Sequence, residues 1–184
     1  MTAGPPTPLA AADHALIDRF RAGDDGAFAE LYARHRGPVT GYAWRMLGRV
    51  EEAEEVCTDT FCRLVEGKWR PAGTVRGYLF TVAHRLCLDR LRRRSSMGRA
   101  LLRLFTGDSA PSPEGALIDA ELREGLDAAL LSLPPDHRAV VLLYYTEELS
   151  SREVAEVLGC SDQQVRSKLA YARRCLRVLL EEDP

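Results

Sequence analysis

A cluster of hydrogen-bonding side chains stands out near the end of the sequence. Ser161 and Gln164 have the spacing of a capping box, in which each side chain bonds a backbone N–H of the other residue, so they predict the start of a helix. Val165 and Leu169 would face the protein interior and turn their polar neighbours outward. Arginine can bond guanine, and glutamine can bond adenine, through two hydrogen bonds. The side chains expected to contact DNA here are Gln163, Gln164, Arg166, Ser167, Ala170, Tyr171 and Arg174.

The preceding residues supply the rest of a helix-turn-helix motif. Ser150 and Glu153 form a second capping box, and Gly159 stands where a helix commonly ends in a left-handed glycine. In this motif the second helix enters the major groove of DNA. The alternative is a helical hairpin that only packs and leaves its polar face in water. The agreement between caps, turn glycine and polar side chains favours DNA binding.

A second candidate DNA contact is a cluster of seven arginines between residues 85 and 103, where Asp89 is the only acid. Such a cluster can neutralise phosphates, and aromatic rings upstream of it can stack on unpaired bases. The alternative is a solvated helix end whose arginines lie near the negative pole of the helix dipole. The residues expected to contact DNA in this part of the chain are Trp69, Tyr78, Arg85, Arg92, Arg93 and Arg94.

Helices must position all of these side chains. Apolar residues recur at steps of three and four, and almost nothing alternates with period two, so the sequence predicts an all-α fold. Asp24 is the expected N-cap of the second helix. The third helix is predicted over about residues 51–66, and its acidic beginning suits the helix dipole. The fourth is predicted to begin after Thr74 and to end at the arginines of residues 92–94.

Composition divides the chain into two small helical domains joined by a flexible linker. We predict a disordered tail over residues 1–12, a first domain over 13–94, a linker over 95–112 and a second domain over 113–184. Glycine, serine and proline without sustained periodicity favour the linker. An apolar group at residues 101–105 could pack on a domain or dock on a partner.

The remaining features of the sequence argue against an enzyme or a membrane protein. No phosphate-cradling glycine loop, H-E-x-x-H or nucleophile elbow occurs, so no catalytic residue and no cofactor are expected. The five cysteines lack C-x-x-C spacing, which predicts buried thiols and no metal site. No apolar run is long enough to span a bilayer and no signal peptide is recognisable, so we expect a cytoplasmic protein without membrane insertion. The net charge of −2 means that DNA affinity must come from local clusters.

Two blocks of the sequence resemble the extracytoplasmic-function sigma factors of the sigma-70 family. Their region-two domain is similar to LIDRFRAGDDGAFAELYARH, EEAEEVCTDTF and VRGYLFTVAHRLCLDRLRRR. Their region-four domain is similar to LSLPPDHRAVVLLYYTEELSSREVAEVLGCSDQQVRSKLAYARRCLR. The blocks occur in the family's order and extend from about residue 14 to residue 178, apart from the linker.

The resemblance implies a sigma factor that binds RNA polymerase core and directs promoter-specific initiation of transcription. Region two would bind the beta-prime clamp helices and read the minus-ten box of promoter DNA. Region four would read the minus-thirty-five box and contact the beta flap. An anti-sigma factor is a further partner that the resemblance suggests. The polymerase-binding residues that it implies are Glu54, Glu55, Thr58, Asp59 and Phe61.

Several positions depart from the family's usual residues. Glutamine is common where this chain has Thr58, and asparagine is common where it has Arg85. Tryptophan is common at Tyr78, and arginine at Tyr171. Thr58 is the best support for an alternative function, that of a helix-turn-helix regulator that binds DNA without binding core polymerase.

Overall fold

The computed structural model describes residues 8–67, 73–106 and 126–181, and every regular element among them is a helix. The first group contains α1 (Pro8–Arg21), α2 (Asp25–Leu47), α3 (Val50–Val65) and α4 (Val75–Thr106). The second group contains α5 (Leu126–Ser132), α6 (Pro135–Val141), a π-helical turn (Leu142–Thr146), α7 (Ser151–Leu158) and α8 (Asp162–Glu181). The predicted all-α fold is therefore confirmed.

Local signals set the helix boundaries of the first group. The Asp24 carboxylate accepts a hydrogen bond from the Ala27 amide at 3.2 Å, so the predicted N-cap of α2 is confirmed. Gly48 ends α2 in a left-handed conformation with φ of 72°, which glycine adopts without steric cost. Thr74 precedes α4 and its hydroxyl caps the Gly77 amide at 3.0 Å.

The end of α4 differs from the sequence prediction. The helix was expected to stop near residue 94, yet it continues to Thr106 and occupies most of the segment predicted as a linker. Gly98 is the only strong helix breaker in the extension, and a glycine inside a helix costs only about 1 kcal/mol relative to alanine. The neighbouring leucines, arginines and alanine favour the helix.

The first group packs around α2, which contacts α1, α3 and α4. Tyr42 and Phe80 are almost fully buried, with ring centroids 5.5 Å apart in an edge-to-face arrangement. The hydroxyl of Tyr42 also lies 2.9 Å from Nδ1 of His84. Burial lowers the pKa of His84 to about 4, so this imidazole is neutral at pH 7 and can accept the Tyr42 proton.

The second group is held on α8, which contacts α5, α6 and α7. On this helix Val165, Leu169 and Ala172 are buried and have the spacing expected of an inward face. Val154 on α7 and Val140 on α6 are fully buried in the same core. This packing fixes the rotation of α8 about its axis and thereby decides which of its side chains reach solvent.

The two groups of helices contact each other. α2 packs against α5, α6 and the π-helical turn, while α4 packs against α7. The buried guanidinium of Arg138 donates to the carbonyl oxygen of Met46 on α2 at 2.5 Å, and to those of Leu131 and Leu133 at 2.5 and 3.0 Å. Arg76 of α4 pairs with the buried carboxylate of Glu147 at 3.1 Å.

No helix in the described part of the chain is both long and apolar enough to cross a membrane.

Candidate nucleic-acid and protein interfaces

The predicted DNA-contacting side chains of α8 share one exposed face. Because Val165 and Ala172 are fully buried, the residues on the opposite side of α8 project into solvent. We call this face the recognition surface. It consists of Gln163, Gln164, Arg166, Ser167, Ala170, Tyr171 and Arg174, all of which are exposed.

The geometry of the helix-turn-helix matches the sequence prediction. Ser150 and Glu153 form a complete capping box at the start of α7, and Gly159 ends α7 with φ of 65°. At α8, the Ser161 amide donates to Oε1 of Gln164 at 2.8 Å, and the Gln164 amide lies 3.2 Å from the Ser161 hydroxyl. These predicted caps are confirmed.

The second capping box has a consequence for base reading. Adenine recognition by glutamine uses both the carbonyl oxygen and the amino group of the side chain. The carbonyl oxygen of Gln164 is already bound to the Ser161 amide. Gln163, which is exposed and outside the capping box, is therefore the better candidate for contacting an adenine.

Two residues of the recognition surface have partners that sequence reasoning did not identify. Nη2 of Arg166 lies 2.5 Å from Oδ2 of Asp162, one helical turn earlier. The opposite charges at a spacing of four could have revealed this pair. The Tyr171 ring packs against the imidazole of His137 on α6, with centroids 4.5 Å apart. That contact depends on tertiary packing and left no signal in the sequence.

The arginines of α4 whose side chains the structure describes do not form a single surface. Arg85, Arg92 and Arg93 are exposed, with Arg92 lying 3.5 Å from Asp89. Arg94 is turned inward: Nε donates to Glu52 at 3.2 Å, and Nη1 donates to the carbonyl oxygen of Leu47 at 2.9 Å. These bonds satisfy a carbonyl at the C-terminus of α2 and place a cation at its negative pole.

The aromatic residues predicted beside these arginines differ in their surroundings. Tyr78 is half-buried, and its hydroxyl donates to the carbonyl oxygen of Arg63 at 3.3 Å. Trp69 lies outside the described residues.

The predicted polymerase-binding residues of α3 form an acidic surface, with the exception of Phe61. We use this name for Glu51, Glu54, Glu55, Thr58 and Asp59, which are exposed and line a common depression. Arg90 of α4 also lines it, with Nη2 at 3.3 Å from Oε2 of Glu55 and 3.2 Å from Oδ2 of Asp59. The sequence had grouped Arg90 with the DNA-binding arginines, whereas the structure places it against the acids.

Phe61 does not lie on the acidic surface. Its side chain is only 3% exposed and packs in a cluster of aromatic rings, 4.8 Å from the ring of Tyr32 and 6.3 Å from that of Phe28. The helical period explains this position, because Val56, Thr60 and Leu64 are buried on the same side of α3. Phe61 thus anchors α3 to α2.

The cysteines only partly match their prediction as buried thiols. Cys57 and Cys87 are buried, and burial raises the pKa of Cys87 to about 12, which keeps this thiol protonated. Cys62 is exposed, whereas Cys160 and Cys175 are half-buried. Within the described ranges, no cluster of three or more His, Cys, Asp or Glu residues could hold a metal ion.

Comparison with known proteins assigns the two groups of helices to two known regions. Residues 31–97 match Sigma-70 region 2, and residues 123–176 match Sigma-70 region 4. The chain is 33% identical over 179 residues to the ECF RNA polymerase sigma factor SigL of Mycobacterium tuberculosis, covering 91% of this chain and 97% of SigL. It is 27% identical over 178 residues to SigW of Bacillus subtilis, covering 90% and 95%. Identity to SigE of Mycolicibacterium smegmatis is 35% over 156 residues, covering 80% of this chain and 59% of SigE.

Solved structures show the same fold. CnrH, in complex with the cytosolic domain of CnrY, superposes with a TM-score of 0.69 at 24% identity and covers 94% of this chain and 99% of that one. The sigma factor RpoE of Bartonella quintana, in complex with the anti-sigma factor NepR, gives a TM-score of 0.66 at 21% identity, with coverages of 85% and 98%.

The fold and the two matched regions define a transcription initiation factor of the sigma-70 class, which is not an enzyme. Within that class, the chain belongs to the family of extracytoplasmic-function sigma factors.

Proposed function

We propose that this sigma factor binds RNA polymerase core through the acidic surface of α3 and directs it to promoters through α4 and α8. The observation that carries the proposal is the presence, in one chain of sigma fold, of an exposed helix-turn-helix and an exposed acidic helix face. A regulator that only bound DNA would have no need of the second.

The acidic surface suits the basic clamp helices of the beta-prime subunit. Glu54, Glu55 and Asp59 are exposed on consecutive turns, where opposite charges on a partner would accelerate association and fix its orientation. Thr58 lies between them, and its hydroxyl already donates to the carbonyl oxygen of Glu54 at 3.0 Å. Thr58 would therefore offer contact area to the partner and no hydrogen-bond donor. Phe61 supports the surface from beneath.

Contact with the minus-ten box is assigned to the exposed arginines of α4. Arg85, Arg92 and Arg93 can bind the phosphates of a melted strand, while Tyr78 and Trp69 would stack on its bases. In our assignment Arg94 holds α4 to α2 and α3 through its hydrogen bonds and does not contact DNA. The recognition surface of α8 would read the minus-thirty-five box, and region four would also contact the beta flap.

The domain organisation and regulation belong to the same proposal. Residues 13–94 would form region two and residues 113–184 region four, with residues 1–12 as a tail and residues 95–112 as the connection between regions. The helical extension of α4 then forms the first part of that connection. We place the protein in the cytoplasm, where core polymerase is found. Control by an anti-sigma factor is supported by the complex of the similarly folded RpoE with NepR.

The test is reconstitution with core polymerase. The purified chain should co-elute with core on size exclusion and confer transcription from a specific set of promoters. The second candidate function, a regulator without polymerase binding, is favoured by the inward hydrogen bond of Thr58. Tight binding of duplex DNA by the chain alone, with no co-elution, would establish that function and refute ours.

A further inference from the structure

The ion pair at the start of α8 joins a predicted base-reading arginine to an acid on the same helix. Oδ2 of Asp162 lies 2.5 Å from Nη2 of Arg166, whose side chain is 72% exposed. The other oxygen of the Asp162 carboxylate, Oδ1, is shielded from solvent. Asp162 is therefore seated against the protein and presents one oxygen to the arginine.

Stability does not account for this pair. An exposed ion pair at a spacing of four residues contributes little to folding, and the acid alone would already favour the N-terminus of a helix. The pair also restrains the arginine side chain. A free arginine side chain populates many rotamers, and the contact with Asp162 reduces their number before any DNA is bound.

The direction of that restraint matters for base reading. In a helix-turn-helix, residues in the N-terminal part of the second helix contact base edges. Asp162 draws the guanidinium of Arg166 toward this end of α8 and engages one of its nitrogens. The guanidinium carries several other N–H donors, which remain for the N7 and O6 atoms of a guanine.

The carboxylate also acts on wrong sequences. It repels phosphates, and it can accept a hydrogen bond only from a donor such as the amino group of cytosine. A base pair that offers neither a guanine to Arg166 nor an amino group to this carboxylate meets a fixed negative charge without compensation, so binding to it is weakened.

We infer that Asp162 is a specificity-determining residue of the upstream-box contact, which positions Arg166 for a guanine and penalises other base pairs. This role rests on the proposed function, because it requires α8 to read promoter DNA. Asp162 acts through Arg166 and through charge repulsion, and a direct bond to the cognate base is not needed.

The test compares sequence preferences of holoenzymes assembled from core polymerase and full-length variants. A duplex library randomised across the upstream box is bound, recovered and sequenced. Arg166→Ala should remove the preference at one base pair. Asp162→Asn should reduce the preference at that same base pair about fivefold, while total binding to the randomised library rises. In an Arg166→Ala background, Asp162→Asn should change the preference no further.

A matched control is available on α7, where Arg152 and Glu156 form another exposed pair at a spacing of four, with Nε and Oε1 3.6 Å apart. Glu156→Gln removes the same charge and should leave the preference unchanged. A uniform loss of binding by Asp162→Asn with a lower melting temperature would mean a purely structural role and overturn the inference. The inference would also be overturned if Asp162→Asn left the preference unaltered at the base pair where Arg166→Ala removes it. Absence of any upstream preference in the wild-type holoenzyme would refute the proposed DNA reading itself.

Discussion

Arg166 and Arg174 lie on the same recognition surface but differ in distance from the start of α8. Arg166 is in the second turn, which reaches base edges in a helix-turn-helix, while Arg174 is two turns later. Arg166→Ala should cost about 1–3 kcal/mol on the cognate upstream box and relax specificity at one base pair. Arg174→Ala should weaken binding to all sequences alike and lower the salt dependence. Titrations of holoenzyme at several salt concentrations distinguish the two effects, and an exchange of roles would mean that α8 is misplaced in the groove.

His84 should make stability depend on pH in the acidic range. Burial lowers its pKa from 6.5 to about 4; Lys168 and nearby arginines lower the pKa slightly further, whereas Asp136 opposes the shift. Between pH 6.5 and pH 4 the unfolded chain therefore binds a proton at His84 that the folded chain does not bind. The contribution of neutral His84 to the free energy of unfolding is complete above pH 6.5 and is lost as the pH falls toward 4. From pH 7 to pH 4 the loss due to His84 is on the order of 3 kcal/mol.

The control for this effect is His84→Gln, which keeps a neutral acceptor near the Tyr42 hydroxyl but does not titrate. Urea unfolding of both proteins at pH 7 and pH 4 isolates the contribution of this histidine. If both lose the same stability on acidification, His84 is not the group responsible.

At the level of helices, α3 and α4 together form the acidic surface that we propose binds polymerase. Reversing Glu55 and Asp59 to lysine would place two cations beside Arg90, which now pairs with both acids. Core binding should weaken by about 2 kcal/mol or more, because the surface would repel the basic clamp helices. Both side chains are more than half exposed, so the helical circular dichroism spectrum should be unchanged.

The matched control is Asp18→Lys combined with Glu156→Lys, which changes the net charge equally at exposed positions on α1 and α7. Affinity for core is measured by competition with a labelled sigma factor. Equal weakening by both double variants would show that net charge, and not the acidic surface, controls binding.

Arg138 lies on α6 and connects this helix to the C-terminal ends of α2 and α5. It is 6% exposed, and its partners are carbonyl oxygens of Met46, Leu131 and Leu133. Arg138→Met keeps the volume but leaves buried acceptors without donors, which should lower the free energy of unfolding by about 3 kcal/mol. Urea unfolding measures this loss. As a control, Arg152→Met removes an exposed arginine and should change stability by less than about 0.5 kcal/mol.

Across the whole molecule, sequence reasoning succeeded where the cause is local. The caps at Asp24 and Ser161 follow from residues within three positions of each other, so spacing alone revealed them. The roles of Arg94 and Arg138 depend on carbonyl oxygens 47 and 92 residues away, which no local pattern encodes. Phe61 was named with the polymerase-binding residues because the family resemblance supplied a whole motif, while the helical period decides which residues of that motif are buried.

The hydrogen bond between Arg138 and Met46 joins the two groups of helices and therefore bears on the length of DNA that the proposed promoter contacts would span. Boxes at minus ten and minus thirty-five are centred about 25 base pairs apart, or about 85 Å of duplex at about 3.4 Å per base pair. A compact chain of this size has a radius of gyration of about 16 Å. A chain that retains this bond is therefore too compact to contact both boxes at once. The proposed contact with both boxes at once therefore requires α2 to part from α6, and the free energy of that separation is subtracted from the free energy of binding to promoter and polymerase.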